Sequence, residues 1–280
     1  MSVSPPRVLI AGCGDLGMRC AAQLSSAQVF GLRRNIAQLP SNITPIAADL
    51  ASAAGFAELP RQIDTLIYAP TPAARDAAAY RAIYIDALRR LIGAMPQAAA
   101  GLRLLFVSST AVYGQNAGEW VDENSLCAPS GFNGQILLEA ETQAQALVSH
   151  CAVVRLSGLY GPGRHWLLRR VRAGTPIAAG EHWTNRIHLD DAAALIAKLT
   201  TLTQMPARIL GNDDEPAREH EVLDWIAAGL RLPTLARQTG PAAASGKRVS
   251  NELARSLGWR PRYANFRDGY AAELQGILAS

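Results

Sequence analysis

The chain has 280 residues, of which 49% are hydrophobic and 18% are charged. A chain of this length and apolar content can bury a sizeable core, which excludes an intrinsically disordered protein. The net charge of +4 arises from 27 basic and 23 acidic residues spread along the chain, whereas a nucleic-acid binder usually carries a focused basic stripe. The longest uncharged stretch has fifteen residues, which is too short for a membrane span. We therefore expect a protein that binds neither nucleic acid nor membrane.

The start of the sequence and the cysteines indicate a cytoplasmic location. Residues 1–6 lack the apolar segment of a signal peptide. The four cysteines have neither C-x-x-C nor zinc-finger spacing, and the five histidines do not have a metal-ligand spacing. We expect reduced thiols and no metal site.

Short apolar runs alternate with helical segments along the first half of the chain. The pattern predicts helices at 16–24, 72–95 and 131–150, and strands at 7–12, 27–32, 43–47, 64–69, 102–108 and 152–156. Such alternation is typical of an α/β fold, a Rossmann-type doubly wound parallel sheet with right-handed connections.

Glycine and proline become more frequent after residue 156, which indicates a second region. We predict helices there at 190–202, with Asp190 as N-cap, and at 219–229. We place a Rossmann domain at 1–158 and a small C-terminal substrate domain at 159–280, with 184–202 packing back on the first domain.

A phosphate-binding turn is predicted directly after the first strand. Residues 12–17 read G-x-G-x-x-G, and the segment that follows is helical. Gly12 permits the tight turn, Gly14 lets the backbone approach a pyrophosphate, and Gly17 lets the helix pack closely on the strand. The free N–H groups at the helix start favour bound phosphates. The alternative is a glycine-rich turn without a ligand.

The end of the second strand favours NADP over NAD as the cofactor. An NAD enzyme usually has an acidic residue there for the ribose 2′-hydroxyl, but this chain has Arg33 and Arg34. Two guanidinium groups suit a 2′-phosphate, although both could be solvated loop residues. Asp49 and Leu50 follow the third strand and are placed to contact the adenine. The predicted cofactor-binding residues are Gly12, Gly14, Asp15, Leu16, Gly17, Arg33, Arg34, Asp49, Leu50, Ala69 and Ser108.

Three segments in the right order resemble the extended short-chain dehydrogenase/reductases, which include the sugar-nucleotide epimerases and dehydratases. They are 107–114 (VSSTAVYG), 154–163 (VRLSGLYGPG) and 186–192 (RIHLDDA), and the tail at 247–261 also matches. The resemblance implies that Ser109 and Tyr113 are the catalytic residues, with Tyr113 lining the substrate pocket, and that the neighbouring Thr110 contacts substrate. It also implies that Arg186 and Arg248 face an anionic substrate group, although Arg186 could instead pair with Asp190 or Asp191.

The resemblance ends at the family's Tyr-x-x-x-Lys catalytic pair. The lysine lowers the tyrosine pKa and binds the nicotinamide ribose. Only Lys198 and Lys247 are lysines, and alanine stands four residues before each. In the expected helix, the tyrosine and lysine positions fall on Gly131 and Gln135, upstream of Glu139. The sequence is therefore similar to atypical members of the superfamily.

Two functions remain open at this point. One is an NADP-dependent epimerase-like or reductase-like enzyme with a non-standard active site, acting on an unidentified small-molecule substrate, a sugar nucleotide or another carbonyl compound. The other is a protein that senses NADP(H) without turnover. Tyr84, the Tyr160–Arg164 pair and His188 are candidate replacements for the missing residues, although packing or structural hydrogen bonds explain Tyr84 and His188 better. The resemblance also implies a homodimer formed by the helices at 72–95 and 131–150.

Overall fold

The computed structural model describes residues 4–95, 101–240 and 243–279 of the chain. Its helices are α1 (Asp15–Gln23), α2 (Ala77–Arg81), α3 (Ala87–Gly93), α4 (Phe132–Leu147), α5 (Trp166–Arg172), α6 (Leu189–Thr201), α7 (Glu219–Gly229), α8 (Glu252–Ser256) and α9 (Phe266–Ala279). Its strands are β1 (Arg7–Ala11), β2 (Gln28–Arg33), β3 (Ile43–Ala47), β4 (Thr65–Tyr68), β5 (Arg103–Ser109), β6 (Trp120–Val121), β7 (His150–Leu156), β8 (Gly158–Tyr160), β9 (Glu181–Thr184), β10 (Arg186–His188), β11 (Arg208–Gly211), β12 (Ala217–Arg218), β13 (Ala244–Gly246) and β14 (Arg248–Val249).

Seven strands form one parallel sheet flanked by helices, in the order β11-β7-β5-β4-β1-β2-β3. In the central pairing, Ile10 of β1 lies opposite Gly31 of β2 and Ile67 of β4. The chain runs outward from β1 through β2 to β3, then returns to β4 on the other side of β1. This reversal is the topological switch point at which Rossmann-type sheets bind ligands, beyond the carboxyl ends of the strands. The predicted fold class is confirmed.

Contacts divide the chain into two compact units. The first consists of the described residues of Met1–Val112, Cys127–Arg155 and Ala193–Ile209, and the second of Tyr113–Leu126, Leu156–Ala192 and the rest from Leu210. The predicted single boundary at residue 158 differs from this division. The segment 113–126 belongs to the second unit, and the segment 193–209 belongs to the first.

Each unit has its own apolar core. In the first, strand residues such as Leu9, Leu66 and Leu104 are fully buried together with Leu88 and Leu91 of α3. In the second, α5, α7 and α9 contribute the buried side chains, which include Leu168, Ile226 and Phe266. Burial of this apolar surface is the main force that stabilises both units.

The observed helix starts correct two predictions. The helix predicted from Pro72 begins at Ala77, because the Asp76 carboxylate accepts a hydrogen bond from the Ala79 N–H at 2.8 Å and caps the first turn. This helical region also contains a π-helical turn, Ala82–Asp86, between α2 and α3. The N-cap predicted at Asp190 is wrong.

Candidate functional site

The glycine turn after β1 brings the ends of β1 and β4 into contact. The N–H groups of Gly12 and Cys13 donate to the Leu32 carbonyl of β2, at 3.1 and 3.0 Å. Gly12 has φ +80°, and a Cβ atom there would lie 2.5 Å from the Cα of Pro70, just beyond β4. Only glycine fits both constraints, so Gly12 permits the turn at the switch point.

The other two glycines of the motif have different surroundings. A Cβ on Gly17 would lie 2.9 Å from Cγ2 of Ile10, so this glycine lets α1 pack against β1. A Cβ on Gly14 would meet nothing nearer than the Gly12 oxygen at 4.0 Å. Gly14 is also the N-cap of α1, and no side chain caps that helix end. The N-terminus of α1 therefore has open space above it and the partial positive charge that favours phosphate.

A cleft of about 580 Å³ lies beyond the carboxyl ends of β1 to β4. This volume is within the usual range of small-molecule sites, roughly 300–1,000 Å³. Of the predicted cofactor residues, the cleft is lined by Gly12, Gly14, Arg33, Arg34, Asp49 and Leu50. It is also lined by residues that the sequence reasoning missed, namely Leu32, Asn35, Ala48, Ala51, Pro70, Thr71, Pro72, Ala73 and Ile83. The proline-rich run after β4 was the available signal for four of these nine residues, Pro70 to Ala73.

Four of the other predicted cofactor residues support the cleft from outside its lining. Asp15 pairs with Arg19 on α1 at 2.9 Å, so the carboxylate charge at this helix end is compensated. Leu16 is a buried residue of α1, and Gly17 packs against β1 as described above. The Ala69 N–H donates to the Ala11 carbonyl at 2.9 Å and so continues the pairing of β4 with β1.

The two arginines at the end of β2 differ in burial. Arg34 is exposed, whereas Arg33 is partly buried and its Nη2 donates to Oε1 of Gln38 at 3.4 Å. Nη1 of Arg33 is buried and has no hydrogen-bond partner. A buried guanidinium nitrogen without an acceptor is unfavourable, and this one lies in a residue that lines the cleft. Arg33 therefore places an unpartnered guanidinium nitrogen in the lining of the cleft.

Asp49 lines the cleft, and its carboxylate is hydrogen-bonded within its own loop. Its side chain accepts hydrogen bonds from the Ala51 N–H at 3.0 Å and from the Ser52 hydroxyl at 3.1 Å. Arg90 of α3 donates to the Ala51 carbonyl at 2.8 Å and holds the same loop. These bonds fix the loop that presents Leu50, so this wall of the cleft is preformed.

Ser108 belongs to a buried ionic network instead of the cleft. Its hydroxyl donates to the carboxylate of Glu141 on α4 at 2.6 Å. Arg155 of β7 also donates to this carboxylate, from Nε at 3.1 Å and from Nη2 at 2.6 Å. All three residues are buried. Glu139, two residues earlier on α4, pairs instead with Arg81 at the surface.

The residues that the resemblance placed in catalysis have hydrogen bonds within their own units. Ser109, in the first unit, is partly buried, and its Oγ accepts from the Ala111 N–H at 3.2 Å. Its O–H remains able to donate, because accepting leaves the proton free. Thr110 is 9% exposed. Tyr113, in the second unit, is 2% exposed, and its hydroxyl donates to the Asp122 carbonyl at 2.8 Å. The hydroxyl proton of Tyr113 is thus donated to a backbone carbonyl of the same unit.

Arg186 and Arg248 occupy different places in the second unit. Arg248 donates from Nε to the Gly118 carbonyl at 2.8 Å, and its guanidinium lies 5.1 Å from the ring centre of Trp120 and 5.0 Å from that of Trp183. Arg186 is buried, and its Nη1 has no hydrogen-bond partner. Arg186 therefore keeps a buried guanidinium nitrogen without a hydrogen-bond partner, whereas the guanidinium of Arg248 contacts two aromatic rings.

The two acidic partners considered for Arg186 are engaged elsewhere. The Asp191 carboxylate accepts from the backbone N–H groups of Arg262 and Tyr263, at 2.7 and 3.0 Å. Asp190 lies within α6, where its carboxylate is 3.6 Å from Nδ1 of His188 and its N–H donates to the same nitrogen at 3.2 Å. His188 directly precedes the helix, so its imidazole caps the first turn of α6 in place of Asp190. This is the structural hydrogen bond expected of His188.

The other candidate replacements for the missing pair are packed side chains. The Tyr84 ring contacts Phe106 and Tyr80, its hydroxyl lies 3.4 Å from the Pro70 carbonyl, and burial raises its pKa to about 12. Tyr160 is buried, its hydroxyl is directed to the carbonyl of Asn265, and burial raises its pKa as well. Both phenols therefore keep their protons at neutral pH, which favours packing over general-base chemistry.

Two further properties concern metals and membranes. Within the residues that the structure describes, histidines, cysteines and carboxylates do not form a cluster of three that could hold a metal ion. None of the helices in those same residues is long and apolar enough to cross a membrane.

Comparison with known proteins identifies the family. The model of the NAD dependent epimerase/dehydratase family matches residues 8–207, and the chain belongs to this family. Protein YeeZ of Escherichia coli K12 is 31% identical over 211 residues, which are 71% of this chain and 74% of that protein. The family that the sequence motifs predicted is thus confirmed.

Solved structures agree with this family. A Methylobacillus flagellatus protein described as an NAD-dependent epimerase/dehydratase is 33% identical, with a TM-score of 0.83 over 99% of this chain and 100% of that one. The UDP-glucuronic acid 4-epimerase of Bacillus cereus, solved in complex with NAD, has a TM-score of 0.78 at 20% identity, covering 97% of this chain and 96% of that one. At that identity the likeness shows a shared fold.

Proposed function

We propose that the protein binds NADP(H) in the cleft of its first unit. The observation that carries the proposal is Arg33, whose buried Nη1 lacks an acceptor at the end of β2. A ribose 2′-phosphate would supply that acceptor, and a charge-assisted bond from a guanidinium to phosphate is among the stronger hydrogen bonds. The second strand ends in Arg33 and Arg34 rather than in an acidic residue, which supports NADP over NAD.

The pyrophosphate would be held by the glycine turn. The open space above Gly14 and the uncapped N-terminus of α1 fit a phosphate that approaches the backbone closely. The NAD-bound state of the Bacillus cereus epimerase, which has the same fold, supports a dinucleotide in this position.

Calorimetric titration with NADPH and NADH tests the proposal. Arg33→Ala removes the bonds to the 2′-phosphate, so NADPH affinity should fall roughly ten- to hundredfold while NADH affinity changes little. Arg61→Ala is the matched control, because Arg61 is an exposed arginine of the same unit outside the cleft lining. A wild-type preference for NADH, or an equal loss for both cofactors in Arg33→Ala, would refute NADP specificity.

We further propose that the protein catalyses hydride transfer on a small carbonyl or sugar-nucleotide substrate, with a non-standard active site. Bound NADP(H) would supply the hydride chemistry. Ser109 is the residue suited to donate a hydrogen bond to a substrate oxygen, because its hydroxyl proton is not used by the bond from Ala111. Loss of a positioned acid or base typically costs about 10²–10⁴-fold in rate, so we expect slow turnover.

One observation favours a second candidate, a sensor that binds NADP(H) without turnover. The Tyr113 hydroxyl is buried and donates to a backbone carbonyl, and no tyrosine in the sequence has a lysine four residues later. Oxidation of NADPH with a panel of carbonyl compounds and sugar nucleotides separates the two functions. Turnover that Ser109→Ala abolishes supports the enzyme, whereas tight NADPH binding without turnover on any compound supports the sensor.

We also propose a homodimer formed through the faces of α2, α3 and α4. These helices lie side by side in the first unit, where Arg81 of α2 pairs with Glu139 of α4 at 2.7 Å and Arg89 of α3 donates to Gln143 at 2.8 Å. Light scattering after gel filtration should give twice the 29.9 kDa chain mass. A monomer mass at micromolar concentration would refute this arrangement.

A cytoplasmic location is the last element of the proposal. Cys13, Cys20 and Cys151 are buried thiols rather than disulfides, which is typical of a reducing compartment. Fractionation of cells that express the full chain tests this, and recovery in an oxidising compartment would contradict it.

A further inference from the structure

A second, smaller cavity lies wholly within the second unit, and its wall is mostly apolar. Its volume is about 60 Å³, and Trp166, Leu167, Val222 and Tyr270 contribute apolar surface. A water-sized group needs about 10–15 Å³ of such volume, so the cavity admits roughly four to six non-hydrogen atoms. Trp166 is 52% exposed, which places this ring where the cavity meets solvent.

The cavity contains a buried positive charge that the fold leaves unsatisfied. Arg186 lines the cavity and is 5% exposed. Its Nη2 donates to the Thr184 hydroxyl, and its guanidinium lies 5.4 Å from the ring centre of Phe266. Its Nη1 has no hydrogen-bond partner, and it forms no ion pair with a carboxylate among the described residues. A buried charge in this condition is unfavourable unless a ligand completes its bonds.

Among the described residues, neither carboxyl group near Arg186 forms an ion pair with it. Glu219 lines the cavity, but its carboxylate is held by Arg170, with Nη1 and Oε1 2.5 Å apart. Asp213 is buried, and burial raises its pKa well above 3.8 even though the charge of Arg186 lowers it. Both carboxyl oxygens of Asp213 and Nη1 of Arg186 lack hydrogen-bond partners, so these two side chains do not satisfy each other.

A second donor lies in the same wall. The Tyr270 hydroxyl is buried and has no hydrogen-bond partner. Burial also raises the pKa of Tyr270, so the phenol stays protonated and can donate. The cavity thus presents two unused donors, one of them cationic, beside an apolar surface.

We propose that this cavity binds the carboxylate of a small aliphatic acid, with the carboxylate oxygens on Arg186 Nη1 and the Tyr270 hydroxyl. Guanidinium groups match the geometry of carboxylates and donate charge-assisted hydrogen bonds to them. The short alkyl part of the acid lies against Leu167, Val222 and Trp166. A carboxylate of three carbons has five non-hydrogen atoms and fits the available volume.

Calorimetric titration with propionate tests this site, and propionamide is the neutral compound of the same shape. Propionate should bind at least tenfold more tightly than propionamide, because only the carboxylate gains the charge-assisted bonds. Arg186→Met should weaken propionate binding roughly ten- to hundredfold, and Tyr270→Phe should weaken it severalfold. Arg267→Met is the matched control, because Arg267 also stacks on Phe266 but is exposed and lies outside the cavity lining.

Further measurements separate the possible outcomes. Binding of octanoate as tightly as propionate would support the carboxylate site and show that it receives the end of a larger molecule. Equal binding of propionate and propionamide, or no propionate binding by a folded wild-type protein, would overturn the proposal. Tryptophan fluorescence shows whether the second unit of Arg186→Met is folded, because all five tryptophans belong to that unit. NADPH affinity reports on the first unit, so its retention in this variant keeps the cofactor proposal separate from this one.

Discussion

Replacing Glu141 by glutamine should destabilise the first unit strongly, because it leaves Arg155 buried without a counter-charge. Arg155 is 2% exposed and Glu141 is 3% exposed, so solvent cannot take over the lost interaction. Nη2 of Arg155 lies 2.6 Å from Oε2 of Glu141, which is a short charge-assisted bond. Removal of one partner of such a buried pair costs about 3–5 kcal/mol.

Glu139 and Glu141 lie on the same helix, so the loss of stability in each variant compares a surface ion pair with a buried one. Glu139→Gln breaks the pair with Arg81, whose side chains are 41% and 50% exposed. That change should cost less than about 1 kcal/mol. Joint replacement of Glu141 by leucine and Arg155 by methionine removes both charges, and should be less destabilising than Glu141→Gln alone.

Urea unfolding followed by far-UV circular dichroism measures these free energies. All five tryptophans belong to the second unit, so their fluorescence reports on that unit separately. If Glu141→Gln were no more destabilising than Glu139→Gln, or if the double replacement were worse than the single one, this account of the network would be refuted. Ser108→Ala should lower stability by about 1–2 kcal/mol and leave NADPH affinity unchanged, because Ser108 bonds to Glu141 rather than to the cleft.

Three further predictions follow from single residues. Gly14→Ala should fold normally, because its Cβ would meet only open space, but that Cβ should occupy the space for a phosphate and lower NADPH affinity. Gly12→Ala should unfold at a lower temperature, because its Cβ would lie 2.5 Å from Pro70. Equal melting temperatures of the two variants would contradict this contrast. Burial raises the pKa of Asp213 well above 3.8, so its contribution to stability is present below pH 3.8 and declines as pH rises towards the native pKa. The free energy of unfolding, measured from acid to neutral pH, should lose this part of its pH dependence in Asp213→Asn. Cys127 is the least buried of the four cysteines, so Cys127→Ser should abolish the fast phase of alkylation by a thiol reagent, and a fast phase that persists would refute the assignment.

The positions of the strands along the chain and the glycine turn were predictable because their sequence signals are local. Each predicted strand in the first half forms within two residues of its expected limits. An apolar run, a glycine and a helix start are neighbours in sequence, so the pattern alone indicates a phosphate-binding turn. The carboxyl ends of parallel strands share one edge, so the arginines after β2 were expected beside that turn and do line its cleft.

Helix starts were predicted less well, because capping depends on particular side chains. At Pro72 the sequence favours a helix start, but Asp76 provides the cap. Pro72 and Ala73 line the cleft instead. At α6 the predicted cap was Asp190, whereas the imidazole of His188 makes the hydrogen bond. Several residue types can satisfy the same free N–H group, and only the folded geometry selects one.

By itself, the sequence determined the family, the Rossmann-type fold, the glycine turn after β1 and the absence of a lysine four residues after any tyrosine. The tertiary structure alone decided how each polar side chain is used. Ser108 donates to Glu141, 33 residues away, and Tyr113 donates to the Asp122 carbonyl, so neither hydroxyl proton is left to donate to a ligand. Arg33 and Arg186 keep buried guanidinium nitrogens without partners. A hydrogen-bond partner is set by proximity in space, and a motif fixes proximity only along the chain.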